Sequence, residues 1–526
     1  MQPGTNSIER LKAEKDGLDI LDEIEALAAG HGGWETMDAA TRERLKWIGT
    51  FYRKPTPGEF MMRVRITAGQ ANSNQLRALA AIAEQQGNGV LDITTRQQIE
   101  LRAIRIKSVP DILRALEGVN LTSLQTGMDN VRNVNTCPLA GLSRLELLDA
   151  SPVASEITRL FLGNREFTNL PRKFNVTVTG CRENCTHAET QDLALTPAID
   201  RTGVRGFNVA VGGKMGSGGM TVAVPLDAFV LPAEAAELAA AIILLFRDEG
   251  PREQRSRARL AFLIEDWGIE RFRDAVERRR GRPLRPAERD VRARGRADHL
   301  GVTPQKQRGL VSVGLAVPVG RLSAGELREA ARLADDYGSG RVRLTPDQNL
   351  IVVDVPESRL SQLLRQPLLS RLSPDAGPFV RGLVSCVGTD YCNLALIETK
   401  GLSLQVAERL GQRFTSGQPL TMNWSGCPAG CGNHQAADIG FQGARARIDG
   451  EVVDAVSVFV GGRTGPDARP AQKIMELVPV SMLDDLLPLV ISNIETLKKI
   501  EKVESPESAV LMVPALPESR TEGVRA

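Results

Sequence analysis

The chain has 526 residues, which is too long for a single hydrophobic core, so we expect two to four domains. It is 42% hydrophobic and 25% charged with few aromatic residues, a composition typical of globular proteins in water. The net charge of +2 gives no general reason to expect a nucleic acid or a membrane as a partner.

The N-terminal segment carries no sign of export. Residues 1–19 lack the apolar core of a signal peptide, and their acidic side chains argue against a transit peptide. The most apolar run, Leu231–Phe246, contains two glutamates and is too short to cross a bilayer, so it predicts a buried helix. The sequence therefore predicts a cytoplasmic protein.

An internal repeat organises the chain, with an offset of 251 residues, as from Gly69 to Gly320. The other matching positions are Leu76 and Leu327, Ala80 and Ala331, Ala83 and Ala334, Gly87 and Gly338, Gly89 and Gly340, Thr94 and Thr345, and Gln97 and Gln348. Because the offset stays constant over all these positions, the pattern indicates a gene duplication.

Each copy of the repeat predicts the order strand, helix, glycine turn, strand. The predicted strands are Phe60–Ile66 and Val90–Ile93 in the first copy, and Val311–Val317 and Val342–Leu344 in the second. The second helix opens with Ser323-Ala-Gly-Glu326, which has the pattern of a capping box. Such alternation predicts a mixed α/β fold built from duplicated halves.

The repeat continues downstream with small insertions. Thr-Gly-Cys181-x3-Cys185 corresponds to Ser-Gly-Cys427-x3-Cys431, and an aspartate follows seven residues later in both copies. The run Val209-Ala-Val-Gly-Gly213 corresponds in the same way to Val458-Phe-Val-Gly-Gly462. The duplication therefore extends beyond the strand–helix–strand elements to the cysteine loops.

Four cysteines of the second copy have the spacing of a metal cluster. Cys386-x5-Cys392 and Cys427-x3-Cys431 supply four thiolates from two loops, and soft thiolates select iron–sulfur clusters, zinc or copper(I). Structural zinc sites use tighter pairs in small modules, whereas a [4Fe–4S] cluster takes four cysteines at wider spacing. We favour the cluster over zinc and over a packed turn of small residues.

The first copy keeps only three of the four cysteine equivalents, Cys137, Cys181 and Cys185. The position that matches Cys386 falls near Val131, so one thiolate is missing. We therefore predict degeneration after the duplication in preference to a second cluster.

Ordered motifs from about Arg44 to Ile494 resemble those of the siroheme nitrite and sulfite reductases, most closely the ferredoxin-dependent nitrite reductases. The motifs are RLKWIGTFYR, FMMRVR, DITTRQ, LTSLQTGMDNVRN, NLPRKF, PQKQ and the two cysteine loops. The resemblance implies ferredoxin-like half-domains plus two domains of the siroheme and [4Fe–4S]-binding type, related by pseudo-twofold symmetry.

The resulting domain boundaries follow the repeat and the resemblance together. The predicted segments are an N-terminal helical extension (1–56), a ferredoxin-like half-domain (57–125), a siroheme-pocket domain lacking a cluster (126–280), a linker (281–305), a second ferredoxin-like half-domain (306–372), a [4Fe–4S] and siroheme-binding domain (373–500) and a flexible tail (501–526).

The resemblance also implies two cofactors. One is a [4Fe–4S] cluster held by Cys386, Cys392, Cys427 and Cys431, of which Cys431 is also the axial ligand of the siroheme iron. Siroheme bears many carboxylates, so its pocket needs cationic and amide donors. The matching positions are Thr94, Thr95, Arg96, Arg172, Lys306 and Gln348. A structural role competes for Thr94 and Gln348, because both belong to the repeat.

The resemblance places four further residues around the substrate, namely Arg63, Arg132, Lys173 and Asn175. The three cations would hold an anion such as nitrite, and Lys173 would deliver protons as N–O bonds break. Without the resemblance, Arg63 would be a solvated strand residue and Lys173 an ordinary surface charge.

Asn175 distinguishes between two substrates within the family. Similar sulfite reductases place a lysine here, which suits the greater charge of sulfite, whereas an amide suits the monoanion nitrite. Ferredoxin-dependent sulfite reduction is therefore the nearest alternative, followed by a non-catalytic or tetrapyrrole-biosynthetic protein on the same scaffold. The glycine-rich run 212–219 lacks the order of a nucleotide-binding motif, and we expect it to be a loop over the siroheme pocket.

We therefore expect an enzyme that reduces nitrite to ammonium in assimilation, with ferredoxin as the electron donor. It should act as a monomer with no nucleic-acid or membrane partner. Residues 251–300 carry fifteen arginines against nine acidic residues. Within this basic segment, the stretch 251–296, with Arg278, Arg279 and Arg280, is a candidate surface for an acidic donor, and a solvated helix face is the alternative.

Overall fold

The computed structural model describes residues 6–30, 34–216, 219–293, 297–414 and 419–494, and the backbone of 522–523. Apart from that last pair, the predicted tail 501–526 lies outside the described residues. Two compact units are present: unit 1 is Met1–Lys214, Ala223–Val317 and Arg321–Pro374, and unit 2 is Met215–Val222, Pro318–Gly320 and Asp375–Ala526. In the described ranges, no helix is long and apolar enough to cross a membrane.

The α-helices of the described residues lie in both units. They are α1 (Ser7–Glu14), α2 (Ile20–Ala29), α3 (Ala39–Arg44), α4 (Ser73–Gln86), α5 (Val109–Glu117), α6 (Ser151–Phe161), α7 (Pro232–Glu249), α8 (Leu260–Trp267), α9 (Ile269–Arg280), α10 (Ala324–Tyr337), α11 (Glu357–Leu363), α12 (Pro378–Arg381), α13 (Lys400–Arg413) and α14 (Leu483–Ser492).

The strands form four sheets. They are β1 (Thr50–Tyr52), β2 (Phe60–Val64), β3 (Gln70–Asn72), β4 (Val90–Ile93), β5 (Ile99–Ile104), β6 (Val176–Val178), β7 (Leu193–Ile199), β8 (Arg205–Val211), β9 (Val224–Val230), β10 (Arg289–Asp290), β11 (Gly301–Pro304), β12 (Leu310–Leu315), β13 (Arg321–Ser323), β14 (Arg341–Leu344), β15 (Leu350–Pro356), β16 (Leu383–Ser385), β17 (Met422–Ser425), β18 (Ile439–Ile448), β19 (Glu451–Val460), β20 (Gln472–Pro479) and β21 (Glu522–Gly523).

The two repeats form two five-stranded sheets in unit 1 that exchange one strand. The strand orders are β1-β2-β5-β4-β13 and β11-β12-β15-β14-β3. Thus β13 of the second repeat pairs with β4, and β3 of the first repeat pairs with β14. The exchanged strands begin at Gln70 and Arg321, which are separated by the offset of the sequence repeat. Equivalent strands of the two copies therefore make equivalent pairings in the sheets.

A reciprocal pair of glutamines joins the repeats at the ends of their hairpins. The Gln97 amide donates to the Leu344 carbonyl at 2.8 Å, and the Gln348 amide donates to the Ile93 carbonyl at 2.9 Å. Gly69 lies beside the first contact at φ +65°, and a Cβ there would come within 2.7 Å of the Leu344 oxygen. Only glycine therefore permits this close approach.

The core between the repeats confirms the predicted helices. The apolar faces of α4 and α10 are buried in one shared cluster with residues of both sheets. The predicted capping box at Ser323 and Glu326 is present, and α4 has an equivalent box at Asn72 and Gln75 that the sequence reading missed. Both helices therefore start where their first N–H groups find side-chain acceptors.

The region between the repeats forms the third sheet, with order β10-β7-β8-β9 and with β6 parallel to β7. Helices α6 to α9 share one apolar core with it. The predicted buried helix Leu231–Phe246 is confirmed as the main part of α7, because most of its apolar side chains are inaccessible to water.

The sheet of unit 2 repeats this arrangement, with order β16-β17-β18-β19-β20 and with β21 paired to β18. Asp192 accepts the Asn175 N–H at 2.7 Å, and Asp438 accepts the Thr421 N–H at 2.9 Å. These aspartates are the pair that follows the two C-x3-C loops. The structure thus extends the duplication to the strand that precedes each cysteine loop.

Candidate functional site

Two of the predicted substrate residues converge on one carbonyl group in unit 1. Arg63 on β2 donates to the Thr126 oxygen at 3.1 Å, and Arg132 donates to the same oxygen. Arg132 also donates to the Met128 carbonyl at 2.8 Å. The two guanidinium groups are therefore brought together although they lie far apart in the sequence.

Arg63 is held by a carboxylate and an aromatic ring. Its Nε lies 2.8 Å from Glu100 on the neighbouring strand, and its guanidinium carbon is 4.8 Å from the centre of the Phe51 ring. Burial opposes ionisation of Glu100, but the Arg102 and Arg63 guanidiniums lower its pKa to about 2. Because these contacts fix the Arg63 side chain, Arg63 is not a freely solvated strand residue.

The positive charge of this region exceeds what its carboxylates neutralise. Burial, and then the neighbouring Arg63 and Arg172, lower the pKa of Arg132 well below its ordinary value. Burial likewise lowers the pKa of Arg96 to about 9, although Asp192 opposes the shift. A buried site with excess positive charge favours the binding of anions.

Two buried aspartates organise the cations. Asp129, with a fully buried side chain, accepts two hydrogen bonds from Arg255 at 2.8 and 2.9 Å and one from Lys12 at 3.3 Å. Asp192 accepts two from Arg259 at 3.0 and 2.6 Å. Bidentate pairs of this kind are strong and directional.

Sequence reasoning noted Asp192 only as an aspartate that follows a C-x3-C loop, and it gave no charge-pairing role to Asp129 or Asp192. Asp129 stands inside the motif LTSLQTGMDNVRN, which was the available signal. Arg255 and Arg259 belong to the basic segment that was considered as a docking surface; Arg259 is buried against Asp192, and Arg255 is partly buried against Asp129. Lys12 comes from the N-terminal extension, so this extension contributes directly to the charge balance around Asp129.

Lys173 and Asn175, the predicted substrate residues of the NLPRKFN run, differ in their surroundings. Lys173 is half-buried. The Asn175 backbone N–H bonds to Asp192, whereas its side-chain oxygen is buried and has no hydrogen-bond partner in the described part of the chain. An orphaned buried amide oxygen is the kind of group that a bound ligand or water satisfies.

Thr94, Thr95 and Arg96 form the turn between β4 and β5. The Thr94 hydroxyl accepts the N–H groups of Arg96 at 3.2 Å and Gln98 at 3.1 Å. Arg96 donates to the Gln191 side chain at 2.8 Å and to the Asn133 carbonyl at 2.7 Å. These hydrogen bonds hold the turn in place, and the half-buried Thr95 lies at its tip.

The other three predicted cofactor-binding cations and amides have partners within the protein. Arg172 lies 3.6 Å from Asp129. Lys306 contacts Glu146 at 2.5 Å, with 45% of its side chain exposed. The amide of Gln348 bonds to a backbone carbonyl of the other repeat, which favours a structural role for it.

The four cysteines of the predicted cluster lie on two loops of unit 2. Cys386 follows β16, and Cys427 follows β17. These two strands are neighbours in the sheet and run parallel. The Gly426 N–H donates to Cys386 Sγ at 3.1 Å, and the Leu394 N–H donates to Cys392 Sγ at 3.4 Å. Backbone donors of this kind stabilise the negative charge of thiolates bound to a cluster.

No three of these thiols lie as close together, in the described ranges, as the ligands of a single metal ion. Cys427 interacts electrostatically with Cys431, Cys392 and Cys386, and burial followed by these neighbours raises its pKa to about 12. A tetrahedral zinc ion would need sulfur atoms about 3.8 Å apart. In the described ranges, none of these cysteines belongs to a group of three metal ligands within 4.8 Å of one another. A polynuclear iron–sulfur centre takes its thiolates at a wider spacing than one ion does.

Two sequence profiles match the chain. The "Nitrite and sulphite reductase 4Fe-4S domain" matches residues 127–284 and 376–502, and the "Nitrite/Sulfite reductase ferredoxin-like half domain" matches residues 52–119 and 303–369. The chain belongs to the nitrite and sulphite reductase family.

Individual proteins of known name agree with this assignment. "Ferredoxin--nitrite reductase" of Synechococcus elongatus is 48% identical over 490 residues, which are 92% of this chain and 95% of that protein. The chloroplastic protein of the same name from Zea mays is 43% identical, over 93% of this chain and 88% of its own length. The solved structure of the Mycobacterium tuberculosis NirA protein has a TM-score of 0.88 at 31% identity, covering 98% of this chain and 97% of that one. The predicted family and fold class are confirmed.

In this member of the family, a histidine that the sequence reading missed supports the second cysteine loop. The Ser425 hydroxyl accepts the Gly432 N–H at 3.1 Å and lies 3.0 Å from His434 Nδ1. Burial lowers the pKa of His434 to about 4, so the ring is neutral at pH 7. Ser425 precedes Cys427 and Gly432 follows Cys431. The hydrogen bond between them therefore joins the two ends of the loop that carries both thiols.

The glycine-rich run of this family member packs beside the same loop. Gly216 comes within 3.2 Å of where a Cβ on Gly430 would lie, and Met215 and Met220 form a small apolar cluster with Ala436. The run is therefore a loop against the Cys427–Cys431 segment, and residues 217–218 of it lie outside the described part.

The basic helix α9 is less positive than its sequence indicates. Arg279 pairs with Asp248, and Arg280 pairs with Glu237 while only 5% of its side chain is exposed. Arg278 is exposed. A donor-docking role for this helix therefore stays a prediction, and Arg278 is the residue best placed to test it.

Proposed function

We propose that this chain reduces nitrite to ammonium with electrons from reduced ferredoxin. The observation that carries the proposal is the convergence of Arg63 and Arg132 on the Thr126 carbonyl, within a region of excess positive charge. The same chain carries a complete set of four cluster-type thiols, and the relatives from Synechococcus elongatus and Zea mays are named ferredoxin–nitrite reductases. Complete thiol and cation sets argue against a non-catalytic relative.

The cofactors of the proposed enzyme are siroheme and one [4Fe–4S] cluster. Cys386, Cys392, Cys427 and Cys431 would hold the cluster, and Cys431 would also ligate the siroheme iron. When bound, the pair supplies an iron centre for nitrite reduction and a store of electrons next to it. Cys431 is the exposed member of the four, which suits a thiolate that serves a second group.

The carboxylates of siroheme need cations and N–H donors from the protein. We assign this role to the turn of Thr94, Thr95 and Arg96 and to Arg172, Lys306 and Gln348. Burial lowers the pKa of Arg96 and Arg172, which supports the assignment, because bound anionic groups would offset the cost of burying these cations. Support for Gln348 is weaker, since its amide already has a backbone partner.

Nitrite would be held by Arg63 and Arg132 and protonated from Lys173. The two guanidiniums are fixed by backbone carbonyls and by Glu100, so they need no reorganisation when the anion arrives. Lys173 carries transferable protons, whereas a guanidinium holds its protons too tightly to donate them at neutral pH. The orphaned oxygen of Asn175 would accept a hydrogen bond from a bound ligand or from an ordered water.

Product identification tests the proposed function directly. The purified enzyme, reduced by ferredoxin or by a viologen dye, should convert nitrite to ammonium with six electrons consumed per nitrite. Sulfide from sulfite at a higher turnover would support the sulfite reductase alternative. No turnover of either anion by an enzyme with a full cofactor spectrum would contradict the proposal.

Substrate preference is expected to follow Asn175. The Asn175→Lys variant should lower nitrite turnover and raise sulfite turnover, shifting their ratio about tenfold or more, because it adds a cation where the present site has a neutral amide. Steady-state rates with a dye donor measure the ratio. Asn175→Asp is a matched control of opposite charge and should weaken both reactions. A ratio that stays constant in Asn175→Lys would leave Asn175 without a role in selectivity.

Ferredoxin docking is expected to involve the exposed end of α9. Arg278→Glu should raise the KM for ferredoxin roughly two- to tenfold at low salt, because it reverses a charge that an acidic donor would meet. Activity with a small dye should persist, and the effect should shrink as salt is added. Reversing Arg280 is unsuitable, since its side chain is buried against Glu237. Equal loss with both donors would indicate misfolding, and no loss would place the docking site elsewhere.

We further propose that the enzyme works as a monomer in the cytoplasm, without nucleic-acid or membrane partners. The domain boundaries predicted above also stay proposals, and limited proteolysis of the holoenzyme would test them at residues 281–305.

A further inference from the structure

A compact group of metal-ligand side chains lies in unit 1, in the copy that lacks the fourth cysteine. The sulfur atoms of Cys137 and Cys185 and a ring nitrogen of His299 all lie within 4.8 Å of one another. Cys137 Sγ is 3.7 Å from His299 Nε2, and all three residues are buried. We propose that these residues bind a single Zn²⁺ ion, with Cys181 as the fourth ligand.

The distances match one tetrahedral ion. Zinc lies about 2.3 Å from thiolate sulfur and about 2.0 Å from imidazole nitrogen, so a tetrahedral site has ligand atoms about 3.5–3.8 Å apart. The observed 3.7 Å between Cys137 Sγ and His299 Nε2 falls in this range. Across the described residues, this is the one group of three such ligands with so short a mutual spacing. A cubane cluster would force the ligands further apart.

Cys181 lies beside this group, although its sulfur is outside the set of atoms within 4.8 Å of one another. Its thiol contacts the thiol of Cys137, and it shares the C-x3-C loop with Cys185, a spacing that structural zinc sites use. Its other polar neighbours are the Ser143 hydroxyl at 4.0 Å and the Glu183 carboxylate at 3.7 Å. The hydroxyl can donate to a zinc-bound thiolate, as partners of metal ligands commonly do.

His299 takes the place of the missing cysteine from a different part of the chain. It lies on the connection between the two halves, and its backbone has φ +59°. A Cβ on Gly314 would lie 1.8 Å from the His299 carbonyl oxygen, so glycine lets the connection rest against β12. The Ala293 N–H donates to the Arg182 carbonyl at 2.8 Å, which joins the same connection to the cysteine loop.

The surroundings are those of a closed structural site. Cys137, Cys181 and Cys185 belong to one apolar cluster, whose other members are Leu139, Ala140, Leu142, Ile351 and Val353. Such a setting leaves no open coordination position for a substrate. Zinc at this place would fasten the connection between the halves to the loop that the duplication left without a cluster, and its role would be stability and not electron transfer.

Element-specific measurements on the holoenzyme test the site. Mass spectrometry of the elements should find about one zinc per chain in addition to the iron, and X-ray absorption at the zinc edge should show three sulfurs at about 2.3 Å and one nitrogen at about 2.0 Å. Absence of zinc after purification without chelators, or zinc bound by oxygen and nitrogen alone, overturns the proposal. So does a disulfide between any two of the three cysteines in the protein as purified.

Variants separate this site from the iron centres. Cys185→Ser and His299→Ala should lower zinc below about 0.1 per chain and reduce the Tm, because binding energy of a structural ion is folding energy. Cys137→Ser and Cys181→Ser should act alike. His187→Ala is the matched control, since it removes another buried histidine of the region and should keep the zinc. The iron content and siroheme absorption should be unchanged in every variant, and loss of iron from Cys185→Ser would overturn the zinc assignment in favour of a second cluster.

Discussion

Replacement of Cys431 by serine is expected to remove the absorption of both the [4Fe–4S] cluster and the siroheme. Under the proposed function, one thiolate serves both groups, so its loss should uncouple them and lower nitrite turnover by at least about a hundredfold. Cys431 is exposed, whereas Cys386, Cys392 and Cys427 are partly buried. A serine at an exposed loop position should therefore cost little folding stability, and the defect should be one of cofactor content.

The spectra and the iron content of the purified variant measure this effect. Pro428→Ala is a suitable control, because Pro428 is an exposed residue of the same loop that supplies no thiolate. Its iron and siroheme bands should resemble those of the unaltered enzyme. A Cys431→Ser variant that keeps a normal siroheme spectrum would show that another residue binds the siroheme iron, and one that keeps its cluster would exclude the shared thiolate.

Replacement of Lys173 by glutamine is expected to lower kcat for nitrite by about 10²- to 10⁴-fold, the range that positioned proton donors usually contribute. Glutamine keeps most of the length and can donate hydrogen bonds, but it cannot release a proton. The KM for nitrite should change much less, because Arg63 and Arg132 would still bind the anion. The half-buried position of Lys173 is consistent with a group that faces a ligand.

Steady-state kinetics with a dye donor, over a range of pH, separate the roles of Lys173. Lys107→Gln is the matched control, since Lys107 is an exposed lysine outside the proposed site, and it should leave kcat unchanged. A rise in KM with unchanged kcat would make Lys173 an anion-binding residue. Unchanged kinetics would show that Lys173 is an ordinary surface lysine with no role in catalysis.

Patterns that depend on neighbouring residues were readable from the chain alone. Local patterns predicted the matching helices, the capping box at Ser323 and two of the strands in each copy, because apolar spacing and caps act over a few residues. The cysteine spacings predicted a cluster-type thiol set at Cys386–Cys431. The ordered motifs identified the family, which the comparisons confirm.

Contacts between distant segments were decided only by folding. The sequence repeat does not say that β3 and β13 change sheets, because strand exchange depends on how the two copies approach. Composition assigned Arg255 and Arg259 to a surface, but Asp129 and Asp192 draw them inward, since a buried carboxylate is stable only when it is paired.

The clearest difference concerns the cysteines that were expected to be relics. Spacing alone showed Cys137, Cys181 and Cys185 as an incomplete thiolate set, because the missing ligand has no counterpart at Val131. The chain topology brings His299 to them from more than a hundred residues away, and no local pattern marks that histidine as a ligand. Element types and motifs are thus properties of short stretches, whereas ligand sets and charge clusters are properties of the packing that closes long loops.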